Sequence, residues 1–145
     1  MDMFDPESVP QLPCVGSSLR RAARAATRLY ERELRGSGLR STQFTLLQAL
    51  EFAGEITQGQ LGSVLSIDST TLTRSLQALV NEGWVKETRG DDRRERYLAL
   101  TPSGRRKLED TSPAWRRAQT RLKKALGRSW DELDADLRRI TALER

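Results

Sequence analysis

Apolar residues in the first part of the chain recur every three to four positions. Between Val15 and about Arg35 they are Val15, Leu19, Ala22, Ala26, Leu29 and Leu34, which forms one stripe along an α-helix. Arg20, Arg21, Arg24, Arg28 and Arg32 are left for its other faces. The stripe is rich in alanine, so a second helix can approach it closely. "GSGL" at 36–39 stops this helix. A second helix is predicted from Thr42 to Phe52, with Phe44, Leu47 and Leu50 on one face, and "AGE" at 53–55 breaks it. "TQGQLGSVLS" then opens with Thr57 and Gln60 at the spacing of a capping box. Gly59 and Gly62 are each poorer helix formers than alanine by ~1 kcal/mol. Their use implies close packing, with Gly62 where a neighbouring helix crosses. Asp68 is placed to cap a further helix, Ser69 to about Glu82, which Gly83 stops.

Two short helices joined by a tight connection and preceded by another have the layout of a helix-turn-helix. In the later one Leu72, Leu76, Leu79 and Val80 make the buried face, and Ser69, Thr70, Thr73, Arg74 and Gln77 make the other. Two readings of that polar face stay open. It is ordinary solvated surface, or its hydroxyls bond phosphates while the arginine and the amide read base edges.

The strand-like "WVKET" (84–88) and "RYLALT" (96–101) follow, joined by a polar loop containing Gly90. "RGDDRRER" packs four arginines and three acids into eight positions. Alone, such a mixed run reads as solvated surface. Between two strands and directly after a recognition-type helix, it becomes the loop of a wing that holds arginines out on a short arm.

Beyond Thr101, Pro102 favours a helix start, and Pro113 is expected to interrupt and kink that helix. Trp115, Ala118, Leu122 and Leu126 then form a new stripe, which Gly127 ends. Ser129 and Glu132 repeat the capping-box spacing, and Leu133, Leu137, Ile140 and Leu143 are expected to face inward. A winged helix has no core large enough to bury the stripes of the first and last two helices, so a second copy is expected to cover them. The predicted class is mainly α with a small β-hairpin wing: a winged helix-turn-helix with flanking dimerisation helices.

Composition narrows the chemistry. The 145 residues fit one domain, with 37% hydrophobic and 31% charged residues. No apolar run approaches the roughly 20 residues of a membrane helix. The start, "MDMFDPESVPQLP", is acidic and contains proline, unlike a secretory signal, so a cytoplasmic location is expected. Cys14 is the single cysteine, which excludes an intramolecular disulfide and a cysteine-based zinc site. There is no histidine, which removes Ser–His and Cys–His nucleophile pairs and the commonest metal ligand. Gly-rich phosphate loops of either common spacing are missing too. The chain is therefore expected to be no enzyme and to need no cofactor or metal. Net charge is +5, with 4 lysines against 21 arginines. That bias suits phosphate and base edges, although codon usage produces it equally well.

"DSTTLTRSLQALVNEGWV", "DDRRERYLALT" and "TPSGRRKLE" together resemble the MarR family of bacterial transcription regulators, over about residues 14–145. The family's wing pattern of Asp, any residue, Arg, and later Leu-Thr falls on Asp92, Arg94, Leu100 and Thr101. The resemblance implies a homodimer whose recognition helix enters the major groove of a near-palindromic operator while the wing reaches the minor groove. It assigns Ser69, Thr70, Thr71, Thr73 and Arg74 to the recognition helix, Arg94 to the wing tip, and Asp92 to holding that arginine in place. A narrow minor groove concentrates the negative potential that attracts arginine.

Residues 1–13 then read as a tail and 14–145 as a single domain. Its DNA-binding part is about 41–100, and its dimerisation helices are about 15–36 and 102–145. A repressor relieved by a small aromatic or acidic effector is the function the family suggests. An alternative is an oxidant sensor using Cys14. The family's hydroperoxide sensors support such a cysteine with tyrosines, yet aligning Tyr30 leaves Cys14 about two residues out of register. Another alternative is a winged-helix protein-interaction module, which calls for an apolar recognition face.

Overall fold

The structure, a computed structural model, describes residues 13–92 and 94–144. The tail expected over 1–13 therefore lies, save Pro13, outside the described residues. Helices begin where a side chain can satisfy the first free N–H groups. Helix α1 (Val15–Glu33) starts at Cys14, whose Sγ accepts from the Ser17 N–H at 3.4 Å. After the loop containing Gly36 and Gly38, both at positive φ, α2 spans Ser41–Ala53. Helix α3 (Gln58–Leu65) carries the predicted Thr57–Gln60 capping box, and α4 (Ser69–Asn81) is capped by Asp68. Helix α5 (Pro102–Ala125) is capped by Thr101, with Pro102 in its first turn. Helix α6 (Trp130–Thr141) has the Ser129–Glu132 box and runs into a 3-10 turn, Ala142–Glu144.

Strands β2 (Val85–Arg89) and β3 (Arg96–Leu100) form the expected hairpin, with Val85 opposite Leu100 and Arg89 opposite Arg96. A third strand, β1 (Ile56–Thr57), pairs with the other side of β3, giving the antiparallel order β1-β3-β2. Two residues are too few to show a period, so sequence pattern had no means of revealing it.

The core gathers the predicted faces: Phe44, Leu47 and Leu50 of α2, Leu72, Leu76 and Leu79 of α4, and Leu61, Val85 and Leu98 between them. Gly62 is where packing is tight. A Cβ there would lie 3.2 Å from the Ile67 carbonyl oxygen and 3.3 Å from Leu72 Cδ2. Gly59 is different: nothing lies within 4 Å of the corresponding point, so close packing does not explain it.

Pro113 does not divide α5, which is continuous across it. Proline inside a helix costs ~3 kcal/mol or more. Here Leu108 and Thr111 before it and Ala118 after it are all buried, while Trp115 stacks on Phe44 with ring centroids 5.7 Å apart. Packing on both sides of the proline holds the helix together. At the C-terminal end of the chain Ile140 is 40% and Leu143, in the following 3-10 turn, 83% exposed. No residue of α1 or α6 is buried within the single chain. Among the described residues no helix is long and apolar enough to cross a membrane.

The wing meets the long helix at one joint. Thr101 donates its backbone N–H to the Trp84 carbonyl at 3.0 Å and its hydroxyl to the Gly83 carbonyl at 2.6 Å. The same hydroxyl accepts from the Gly104 N–H at 3.0 Å. A Cβ on Gly104 would overlap the Trp84 carbonyl oxygen and lie 2.8 Å from its carbon. Backbone cannot retreat there without breaking the Thr101 bonds. Gly104→Ala should therefore destabilise the protein by about 3 kcal/mol, read as a lower thermal midpoint. Gly127→Ala, where the space is open, should melt like the parent chain. Equal midpoints for the two variants would show that the joint tolerates separation.

Candidate nucleic-acid interface

Helix α4 buries its leucines and turns Ser69, Thr70, Thr73, Arg74, Gln77 and Asn81 onto one exposed, shallow surface. None of the large apolar side chains left exposed belongs to α4. The hydroxyls on this helix do different things. Thr71 gives its N–H to Asp68 Oδ1 at 2.9 Å and its hydroxyl to Asp68 Oδ2 at 2.7 Å. Its hydroxyl is thus engaged in the helix cap. Thr73 donates to the Ser69 carbonyl at 2.8 Å and accepts from Gln58 Nε2 at 2.7 Å, which ties α3 to α4. Gln58 escaped the sequence reading, since nothing but its place at the start of α3 marks it. Gln77 Nε2 donates to Asn81 Oδ1 at 2.9 Å. Arg74 is in no ion pair among the described residues, and it is the cation of this surface.

The wing closes with a small turn. Asp92 Oδ1 accepts from the Arg94 backbone N–H at 3.1 Å, and the Asp92 carbonyl accepts from the Glu95 N–H at 2.9 Å. Asp92 was expected to hold the Arg94 side chain. Its carboxylate engages the Arg94 backbone, as aspartates in turns do two residues on, and no Asp92–Arg94 ion pair occurs among the described residues. Arg94 stays exposed, whereas Arg96 pairs across the strands with Glu87 at 3.3 Å. Tyr97 donates to Glu95 Oε2 at 3.0 Å, and that carboxylate pushes the phenol pKa up. Gly90 leaves room for the ring, because a Cβ there would stand 2.7 Å from Tyr97 Cε2.

Arg94 and Arg96 of the wing border one groove with Gln58, Ser69 and Thr73 from the starts of α3 and α4, a space of about 1350 Å³. Thr141 and Glu144, at the end of α6, border it too. The groove thus joins the two arms that sequence spacing had placed in separate elements.

The other sequence-nominated residue, Cys14, is exposed at the opposite end of α1 from Tyr30, roughly 24 Å along the helix. The Tyr30 hydroxyl bonds Gln119 of α5 instead. Those two residues, with Thr45, Gln48, Phe44 and Trp115, line a cleft of about 490 Å³ between α1, α2 and α5. Burial raises the Tyr30 phenol pKa. No cluster of three or more metal-ligating side chains occurs among the described residues.

These features define a winged helix-turn-helix protein. A sequence model of the MarR family matches residues 37–95. The transcriptional regulator MosR of M. tuberculosis, solved in complex with DNA, is similar over 90% of this chain and 96% of its own, with a TM-score of 0.81 and 32% identity. An uncharacterized HTH-type transcriptional regulator of Bacillus subtilis, YwoH, is 32% identical over 92 residues, 63% of this chain and 67% of that protein. The multiple antibiotic resistance protein MarR of Salmonella typhimurium is 37% identical over 78 residues, and the match spans only 54% of its length. The chain belongs to the MarR family.

Asp68 makes the interface sensitive to acid. Its bonds from the Thr71 backbone and then from the Thr71 hydroxyl hold its carboxyl below the ordinary aspartate range. A depressed folded-state pKa means the cap contributes fully above the unfolded value and is lost as pH falls through the folded one. The Thr71 amide resonance should therefore titrate with a midpoint below that of a free aspartate. A midpoint at or above the ordinary value would mean that the cap does not persist in solution.

Proposed function

We propose that this chain is a DNA-binding transcriptional repressor that reads an inverted-repeat operator as a homodimer and is released by a small ligand. The observation that carries the reading is the groove where the start of α4 meets the wing bearing Arg94, beside the exposed α4 face whose cation is Arg74. A helix of about this width fits the major groove, and an arginine on a short arm suits the narrow minor groove beside it. The polar α4 face offers no apolar anchor of the kind a protein-interaction surface uses, which favours DNA over that alternative.

The dimer reading rests on α1 and α6, whose apolar stripes the single chain leaves only partly covered. It also relieves a conflict. In the single chain Glu144 stands at the rim of the groove where phosphates would pass, and pairing α6 with a second copy gives it another place to lie. Light scattering at micromolar concentration should report twice the 16.4 kDa chain mass. A well-folded monomer under those conditions would remove the dimer.

The cleft between α1, α2 and α5 is the place for an effector. It sits where the helices assigned to the dimer meet those that support α4, and its volume falls in the range of small-ligand sites. Its lining has aromatic rings, hydroxyls and amides but no lysine or arginine. That favours an uncharged aromatic molecule over an acid.

The operator reading is tested by footprinting the DNA beside the gene and titrating three variants at fixed salt. Protection should cover an inverted repeat with half-site centres roughly 10 base pairs apart. Arg74→Ala should weaken binding by about 1–3 kcal/mol and relax preference at one base position per half-site. Arg94→Ala should weaken it in each half. Asp92→Ala should weaken it as well, by loosening the turn that presents Arg94, although the change makes the protein more basic. Tighter binding by Asp92→Ala would reduce the wing to a solvated loop.

A further inference from the structure

Arg21, Arg24, Arg28, Arg32 and Arg35 follow one another at intervals of 3, 4, 4 and 3 residues, so they lie in a single row along α1 and its C-terminal cap. At 1.5 Å per residue the row is about 21 Å long. It lies opposite the stripe of Leu19, Ala26 and Leu29. All five side chains belong to exposed residues, and none takes part in an ion pair among the described residues. Six arginines beyond Thr101 behave differently. Arg105, Arg117, Arg121, Arg128, Arg138 and Arg139 all hold carboxylates.

The row is not left unpaired for want of an acid nearby. Glu31 stands three residues from Arg28 and four from Arg35, at ion-pair spacing. It turns instead to the Ser41 N–H and hydroxyl, both at 2.9 Å, with Arg40 at 4.0 Å. Glu33 is likewise held by Arg117 at 3.1 Å and Arg121 at 3.0 Å. Like charges three and four residues apart are destabilising in a helix, so the row carries repulsion that an anion would relieve.

The surface between the arginines points to the kind of anion. Ser18, Ala22 and Ala25 floor a shallow trough between Arg21, Arg24 and Arg28. Towards the C-terminus, Arg28, Arg32, Arg35 and Arg40 border a second hollow with Glu31 and Leu39. The trough has no aromatic or large apolar side chain. A protein partner needs such an anchor at the centre of its interface, and a stacked base needs an aromatic platform. A phosphate backbone needs neither. One guanidinium per roughly 5 Å of helix faces one phosphate on each strand per ~3.4 Å of duplex axis, and the planar arginine fork suits phosphate oxygens.

We propose that the arginine row on α1 is a second, sequence-independent binding surface for the phosphate backbone of duplex DNA, separate from the α4 and wing groove. Helix α1 packs mainly against α5 and α2, and none of its arginines borders the α4 face or the groove between α4 and the wing. This deepens the reading of the chain as a DNA-binding protein and rests on it. It does not depend on which bases are read.

The test measures binding to a 60-base-pair duplex of random sequence across a salt series. The variants are Arg24→Gln/Arg28→Gln and, as a control of equal net charge, Arg106→Gln/Arg116→Gln on exposed α5 positions. Each lost phosphate contact lowers the slope of log affinity against log salt by about 0.9. The α1 pair should therefore flatten the slope by about 2 per protomer, and the control should leave it unchanged. Arg24→Lys/Arg28→Lys should restore the slope, since the charges return. Equal slopes for the two glutamine pairs would overturn the proposal, including the case where the row serves an acidic protein. The outcome is distinct from failure of the operator reading. That failure removes the inverted-repeat footprint while the random-duplex slopes still differ. Failure here leaves the footprint and makes the slopes equal.

Discussion

Helix α5 begins in direct contact with the backbone of Gly83 and Trp84, and the arrangement of the molecule depends on that contact. One threonine hydroxyl caps the helix and bonds the end of the α4 turn, and Gly104 lets the two backbones touch. Lys107, one turn further on, bonds the Ser37 carbonyl and lies over the Trp84 ring at 5.1 Å. The loop before α2, the end of α4 and the start of α5 thus meet within a few residues. A change in the direction of α5 must be felt by α4 through this joint.

Charge is distributed by the same logic. The acids of α1 and α6 are used to fasten helices, through Glu33 to α5 and through Asp134 and Asp136 within α6 and its preceding loop. The two Glu33 bridges hold its carboxyl below the ordinary range, with Arg117 the leading cause. Among the described residues, arginines in no ion pair include Arg74 on the α4 face, Arg94 on the wing and the row on the outer side of α1, with Arg106 and Arg116 isolated on α5. Net charge alone would not have distinguished a basic fold from one that segregates its free cations.

Most of the helical architecture was legible along the chain because its signals are local. Thr57 with Gln60, Ser129 with Glu132, and Asp68 cap helices through atoms three residues away, so their spacing is sufficient. The leucine positions of α4 were equally readable, since one buried face imposes a helical period. Where the reading failed, the deciding contact was distant in sequence. Pro113 was expected to interrupt its helix, but Trp115 stacks on Phe44, 71 positions earlier. Gln58 went unmarked, and it braces Thr73, 15 positions later.

The sequence by itself determined the elements, their caps, the polar side of α4 and the charged loop of the wing, because each follows from interactions within a few residues. Tertiary structure alone decided that β1 joins the sheet and that Gln58 braces Thr73. It also decided that Asp92 restrains the backbone rather than the side chain of Arg94, and that Glu31 and Glu33 turn away from the α1 arginines. Those outcomes depend on which chain segments come together, and on competition among several partners for one carboxylate or amide. Residue order lists the competitors, and packing selects among them.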